Sequence, residues 1–320
     1  QRHPLDPLVN ELQRTFGEIH IRLNQAEGRR FVDALIDSEP NQLDSDFRDA
    51  LYQHTAGHPL FTAEMLHGLQ ARGDLVQNAN GDWIESPEMD WQFLPARVEG
   101  IIKERIGRLP PPLQAMLQVA SVAGESFFAE VLAHLLDVDD RQIIGDLGTI
   151  SSQEQRLVQV LGSQQVGAMQ FSEYRFRHIV FQQYLYNNLD SLQRAYFHRT
   201  IADELSRCYG DEAHLIAPQL ARHYAIGGRK QLALHHFAVA GDMAAAMYAN
   251  AEAATHYRSA LALADQRPSD VTQAKQLLQI YSKLGRTLEL DARYDEAIVV
   301  YEEMERSAQQ HNEPAMVLTA

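Results

Sequence analysis

Gly241-Asp242-Met243-Ala244, followed by Ala253, Tyr257 and Ala260, is answered by Gly285-Arg286-Thr287-Leu288, followed by Ala297, Tyr301 and Met304. The two copies stand 44 residues apart at every one of these positions. A fixed period of that size, with small residues and one aromatic in set places, is the pattern of a paired-helix repeat. In each copy a small residue on one helix lets a second helix approach. The aromatic four residues after the Ala fills the groove beside it. Stacked helix pairs build concave recognition surfaces rather than active sites. The function expected from this stretch is recognition or regulation.

Working outward, composition narrows the field. A chain of 320 residues has room for about two or three domains. Its 45% hydrophobic content is enough for real cores. The net charge of −15, from 43 acidic against 28 basic residues, opposes a broad duplex-DNA surface, which needs clustered Lys and Arg. The single cysteine, Cys208, excludes an internal disulfide and fits a reducing cytosol. It is expected to be a small buried or half-buried filler. No apolar run approaches the roughly 18 residues of a membrane span, and no signal-peptide pattern occurs. The expected location is cytoplasmic, with no membrane partner. The chain opens on Gln1 rather than Met and closes on a helical-looking segment after Pro314, so a piece of a longer protein is expected.

Periodicity then places the elements. Residues 19–23 alternate as a short strand, without a visible partner upstream. Helices are expected at 25–37, with Phe31, Leu35 and Ile36 inward, at 44–56, and at 60–72 after the break Gly57-His58-Pro59. Asn80-Gly81 marks a hairpin between 75–77 and 82–85. Another helix spans 95–108. Three helical segments, 113–123, 128–136 and 141–152, precede two strands, 156–161 and 171–176. Three helices with a two-strand wing make a winged helix. Helices 180–189 and 191–209 follow. From residue 210 onward everything reads as helix, at about 212–226, 229–247, 250–265, 270–289 and 293–310. Gly227-Gly228 and Arg267-Pro268-Ser269-Asp270 supply breaks.

Several reactive patterns are weak on their own terms. His54 and His58 are four apart, but Gly57 and Pro59 disrupt the helix that would align them. His235 and His236 are adjacent and point to different faces. No H-E-x-x-H or paired Cys occurs, so no metal is expected. Asp139-Asp140 and Glu302-Glu303 read as solvated surface. There is no G-x-S-x-G elbow. The third helix of the winged segment and its lead-in, Asp139 to Leu147, carry three acids against one Arg, so direct DNA binding is not expected.

Four stretches carry a resemblance, three to one family and one to another. Thr55-Ala56-Gly57-His58-Pro59-Leu60-Phe61 resembles the Gly-x-Pro segment in the helical lid of STAND-class NTPases, the large ATP-dependent regulators. Leu94-Pro95-Ala96-Arg97-Val98, followed by Arg105-Ile106-Gly107-Arg108-Leu109, resembles the linker into their winged helix. Tyr174-Arg175-Phe176-Arg177-His178-Ile179-Val180 resembles its end. Tyr281–Glu305, with Leu284-Gly285, Ala297 and Tyr301, resembles a tetratricopeptide repeat. The resemblance implies that Gly57 and Pro59 lie near the adenine and that His178 reaches the phosphates of bound ADP. The chemistry suits those residues: a Pro ring is flat and apolar, and a His at a helix N-terminus adds a donor to a site favourable for anions. The family often has an acid directly after that His, where this chain has Ile179. No G-x-x-x-x-G-K-[ST] and no strand ending in Mg²⁺-binding acids occur, so catalysis by this chain is not expected. Gly57-His58-Pro59 also reads as a plain helix break, and His178 as a capping or packing residue.

The expected fold is mostly α. Residues 1–24 are the remnant of an upstream α/β NTPase core, 25–94 a helical lid subdomain with a hairpin, 95–209 a winged-helix domain with a small β wing, and 210–320 a tetratricopeptide-like superhelix. The expected function is the sensor arm of an ATP-driven signalling switch, with ATP or ADP and Mg²⁺ held by the parent and no cofactor in this part. Its partners would be the NTPase core of the same polypeptide and a protein or small-molecule inducer bound by the repeats. Two alternatives remain: a nucleotide-independent repeat adaptor, and part of a transcription regulator whose DNA-reading domain lies elsewhere.

Overall fold

A computed structural model describes residues 25–87, 89, 91, 94–151, 157–166, 169–264 and 271–310. The strand expected at 19–23, the core remnant at 1–24 and the segment after Pro314 lie outside the described residues. The chain is mostly helical with small antiparallel sheets. Packing divides it into two compact units. One runs to Arg108 and includes His178–Phe181; the other comprises Leu109–Arg177 and everything from Gln182 onward.

The first unit contains α1 (Gln25–Ile36), α2 (Ser45–Thr55), α3 (Pro59–Arg72), β1 (Leu75–Gln77), β2 (Trp83–Glu85) and α4 (Ala96–Gly107). Asp44 starts α2 by accepting the Phe47 N–H at 2.9 Å, an N-cap. Val32 and Ile36, four apart, are the buried pair of α1, while Phe31 and Leu35 are half-buried. The apolar face of α1 is thus turned about one residue from the expected stripe. Phe47 and Leu51, then Phe61, Met65 and Leu69, then Val98, Ile102 and Ile106 are buried at helical spacing. The hairpin pairs Leu75 with Glu85 and Gln77 with Trp83. Asn78 Oδ1 accepts the N–H groups of Asn80 and Asp82 and holds the turn, with Gly81 at φ +85°.

The second unit opens with α5 (Pro111–Ala123), β3 (Ser126–Phe128), α6 (Ala129–Leu136), α7 (Asp140–Ser151), β4 (Val158–Val166) and β5 (Met169–Phe176). The strands form one antiparallel sheet in the order β3-β5-β4. Three residues are too few to show a period, so β3 is invisible in the sequence. Its pairing with β5, Phe127 opposite Tyr174, creates it. The expected strands at 156–161 and 171–176 extend toward each other into a longer ribbon, with an irregularity between Val160 and Gly162.

Next come α8 (Ile179–Asn187), α9 (Ser191–Tyr209), a 3₁₀ segment (Gly210–Ile216), α10 (Ala217–Ile226), α11 (Lys230–Ala246), α12 (Asn250–Leu263), α13 (Val271–Leu290) and α14 (Tyr294–Gln310). A capping box starts α9: Gln193 N–H donates to Asp190 Oδ1 at 2.8 Å, and Asp190 N–H donates to Gln193 Oε1 at 3.1 Å. The helix expected at 212–226 is 3₁₀ in its first part and α-helical from Ala217, with Pro218 in its first turn. One apolar cluster, with Val131, Phe171, Ile201, Leu205, Leu220 and Ala233 among its members, joins the sheet to α9, α10 and α11. The core therefore continues across residues 209 and 210. A second cluster, including Leu234, Ala253, Tyr257, Ile280, Leu284 and Val300, holds α11 to α14.

The 44-residue period has a direct steric meaning. A Cβ on Gly241 would lie 2.5 Å from the Tyr257 ring, and one on Gly285 would lie 2.5 Å from the Tyr301 ring. The aromatic ring lies over the glycine Cα itself, closer than the groove-filling placement expected. Each hydroxyl finds an acid: Tyr257 donates to Asp242 at 2.8 Å and Tyr301 to Glu289 at 3.2 Å. Helix propensity alone would make Gly→Ala stabilising by about 1 kcal/mol. Overpacking of this kind costs about 1–3 kcal/mol. Gly285→Ala and Gly241→Ala should therefore each destabilise the protein, by up to about 2 kcal/mol net in denaturant unfolding. A rise in stability for either would contradict the ring-over-glycine packing.

Candidate functional site

The turn that carries Gly57 and Pro59 is built from two buried threonines. At the end of α2, Thr55 Oγ1 donates to the Leu51 carbonyl at 2.8 Å and accepts the Gly57 N–H at 3.3 Å. Thr62 Oγ1, on α3, lies 3.0 Å from both Thr55 Oγ1 and the His58 carbonyl. Both threonines are fully buried. Ala56 and Gly57 take left-handed φ values of +48° and +67°. A Cβ on Gly57 would lie 2.5 Å from the backbone of Gly28 on α1. Conformation and close approach together demand glycine here. Pro59 then occupies the first turn of α3, where its missing N–H costs nothing.

This turn meets His178 in the first unit. The His58 ring stacks on Phe61 at 4.4 Å between centroids, with an interplanar angle of 29°. The His178 ring stands edge-on to both, 5.6 Å from His58 and 5.5 Å from Phe61. Phe181, one turn along α8, lies 6.2 Å from Phe61, and the Arg105 guanidinium sits 5.4 Å over its ring. Phe61 and Phe181 are buried, His178 is half-buried and His58 is exposed at its edge. Burial of the ring face, then the nearby Arg105 charge, holds the His58 pKa below its ordinary value. The arrangement is two imidazoles and one guanidinium around an apolar floor. It suits an anion beside a flat apolar group.

The other sequence candidates stay apart from this site. His54 Nδ1 lies 2.8 Å from the Ala50 carbonyl of its own helix. Among the described residues no group of three or more His, Cys, Asp or Glu could hold a metal ion, and no helix is long and apolar enough to cross a membrane. Cys208 is half-buried, with Sγ 3.3 Å from Glu204 Oε1. Burial first, then that hydrogen bond, pushes its thiol up to about 12, which makes it a poor nucleophile.

A buried histidine pair escaped the sequence reading. His198 on α9 and His223 on α10 are 2% and 3% exposed, with their Nδ1 atoms 2.8 Å apart. Tyr186 OH lies 3.0 Å from His198 Nε2. His223 also bonds the Ala123 carbonyl at the end of α5, which makes its Nε2 the donor. The remaining protons then have one arrangement: Tyr186 O–H donates to His198 Nε2, and His198 Nδ1–H donates to His223 Nδ1. Both rings are neutral in this chain. Burial first, then Arg222 and Arg194, lowers His198 to about 4; burial first, then His198 and Arg222, lowers His223 to about 3. The two residues lie 25 apart in sequence, on different helices, so no local pattern announces them.

No protein-family model, curated protein or solved structure matches this chain.

Two outcomes are expected. Gly57→Ala should lower stability by about 2–4 kcal/mol in denaturant unfolding, through its positive φ and its clash with Gly28; a neutral change would contradict the close approach. The histidine pair also sets a pH dependence. Unfolding frees both rings to titrate near pH 6.5, while the folded rings stay neutral until about 4 and 3. The unfolded state therefore binds more protons below pH 6.5, and the stability present above that pH is lost as pH falls. Between pH 7 and pH 5 the loss should be about 2–4 kcal/mol, and His223→Gln should flatten it. Equal acid sensitivity in that variant would remove the pair as its cause.

Proposed function

We propose that this chain is the regulatory arm of a STAND-type, ATP-dependent signalling switch working in the cytoplasm. The carrying observation is the meeting of His178 with the Gly57-His58-Pro59 turn, far apart in sequence, within one compact unit. These are the residues that the family resemblance assigns to nucleotide. In this reading α1 to α3 and the hairpin form the helical lid. The order α5, β3, α6, α7, β4, β5 is that of a winged helix, and His178 follows its last strand directly. ADP held by the parent's phosphate loop would set its adenine near Gly57 and Pro59. Its phosphates would draw on His178, with Arg105 adding positive charge nearby. This chain supplies no nucleophile or Mg²⁺ acids in that scheme and acts by biasing an equilibrium.

The repeats would supply the bias. A groove of about 620 Å³ lies among α12, α13 and α14, floored by Leu261, Leu284 and Val299 and flanked by Asp295 and Glu303. An inducer that binds one state better than the other shifts the population by that difference in affinity. The groove equally favours a second reading, a nucleotide-independent adaptor that binds partners through its repeats. The acids of α7 and its lead-in support the winged helix as an intramolecular docking module rather than a DNA reader.

The test uses the longer polypeptide carrying the segment that precedes Gln1. The switch reading expects a strand followed by G-x-x-x-x-G-K-[ST] there. His178→Ala in that protein should weaken ADP binding about tenfold and raise basal activity, with the fold retained by circular dichroism. Unchanged ADP affinity would remove His178 from the site. Absence of a phosphate loop upstream would leave the adaptor.

A further inference from the structure

In the second unit, strands β3 and β5 and helices α6 and α9 surround a cavity of about 300 Å³. It is a half-open cleft, larger than the water-sized voids that packing leaves inside proteins. An apolar cavity of about 150 Å³ accepts benzene, and this one therefore has room for roughly 12 non-hydrogen atoms. Phe128, Val131, Ile201 and Leu205 supply its apolar wall. Five polar side chains share it, Ser126, Gln164, Glu173, Tyr209 and Gln219, and Glu173 is the one that carries a charge.

Glu173 is out of place by ordinary patterning. It stands two residues from the buried Phe171 on β5, hence on the same face of the sheet. Its carboxylate is half-buried and makes no side-chain hydrogen bond or salt bridge among the described residues. A cation placed against a carboxylate without a partner gains Coulomb attraction and a charge-assisted hydrogen bond. Tyr209 is 8% exposed. Burial first, then the charges of Cys208 and Glu173, raises its pKa, so the phenol keeps its proton and its oxygen can still accept a hydrogen bond.

We propose that this cavity binds a small amphiphilic amine, its ring-sized apolar body against Phe128, Val131, Ile201 and Leu205 and its ammonium donating to Glu173 and Tyr209. The charge chooses the class. An anionic head would meet the Glu173 carboxylate, and a neutral head would forgo the Coulomb attraction. The site lies outside the repeat groove and the His178 cluster, and it stands whether or not the nucleotide reading holds.

The experiment is ligand-observed NMR and calorimetry on the full chain with tryptamine as the probe, against tryptophol and indoleacetate. Tryptamine should bind saturably with a Kd of about 1 mM or tighter. Tryptophol should bind about tenfold more weakly, and indoleacetate should show no saturable binding. Glu173→Gln, nearly isosteric, should weaken tryptamine about tenfold and leave tryptophol unchanged. Leu205→Trp, which fills the cavity, should abolish both; should it fail to fold by circular dichroism, Glu173→Gln and the ligand series decide alone. Absence of saturable tryptamine binding overturns the proposal. So does indoleacetate binding as tightly as tryptamine, or a folded Glu173→Gln protein that binds tryptamine like the parent.

Discussion

Backbone and ring approach as closely as hydrogen-sized side chains permit, and both units depend on it. In the first unit the Gly57 turn lies against Gly28, which sets how α1 meets the start of α3. In the second, Tyr257 and Tyr301 lie on Gly241 and Gly285 and set how successive helix pairs nest. A methyl group at any of these positions would occupy space already filled. Interiors are close-packed, so the mismatch could not be absorbed by a void. The buried Tyr257 and half-buried Tyr301 also place their hydroxyls on Asp242 and Glu289, so one contact fixes spacing and polar register together.

Polar atoms inside the second unit are organised as sparingly. The chain Tyr186, His198, His223 and the Ala123 carbonyl crosses a core that is otherwise apolar and ties α5, α8, α9 and α10. Its donors and acceptors match in one tautomeric arrangement, so each buried nitrogen is satisfied without charge. Protonating either ring would place two donors face to face and a charge among Arg194 and Arg222. Glu173 is the contrasting case on the same unit, a half-buried carboxylate with no such chain. That contrast separates a satisfied structural network from a site with capacity for a ligand.

Amphipathic helices were readable because their signal is local. Val98, Ile102 and Ile106, or Phe61, Met65 and Leu69, repeat within a few residues, and the structure buries them. The hairpin at Asn80-Gly81 was readable for the same reason. Strand β3 was not, since Ser126-Phe127-Phe128 becomes a strand only through β5. Gly57, Pro59 and His178 were singled out by motif, and the structure sets the turn of the first two against the ring of the third. Arg105 and Phe61 belong to the same cluster; both lie inside the runs that carry the resemblance, but the sequence assigned neither a role at the site.

By itself the sequence determined a mostly helical chain, its 44-residue pairing of Gly with Tyr, its acidic balance and the absence of a phosphate loop from its residues. Each of these is a statement about spacing or composition along one dimension. Only tertiary structure decided that Tyr301 lies over Gly285 rather than beside it, that His198 meets His223, and that Glu173 faces a cavity with Tyr209. Hydrogen bonding, desolvation and steric fit act over a few ångströms in space. Residues far apart in the chain come under those forces only once the helices have packed.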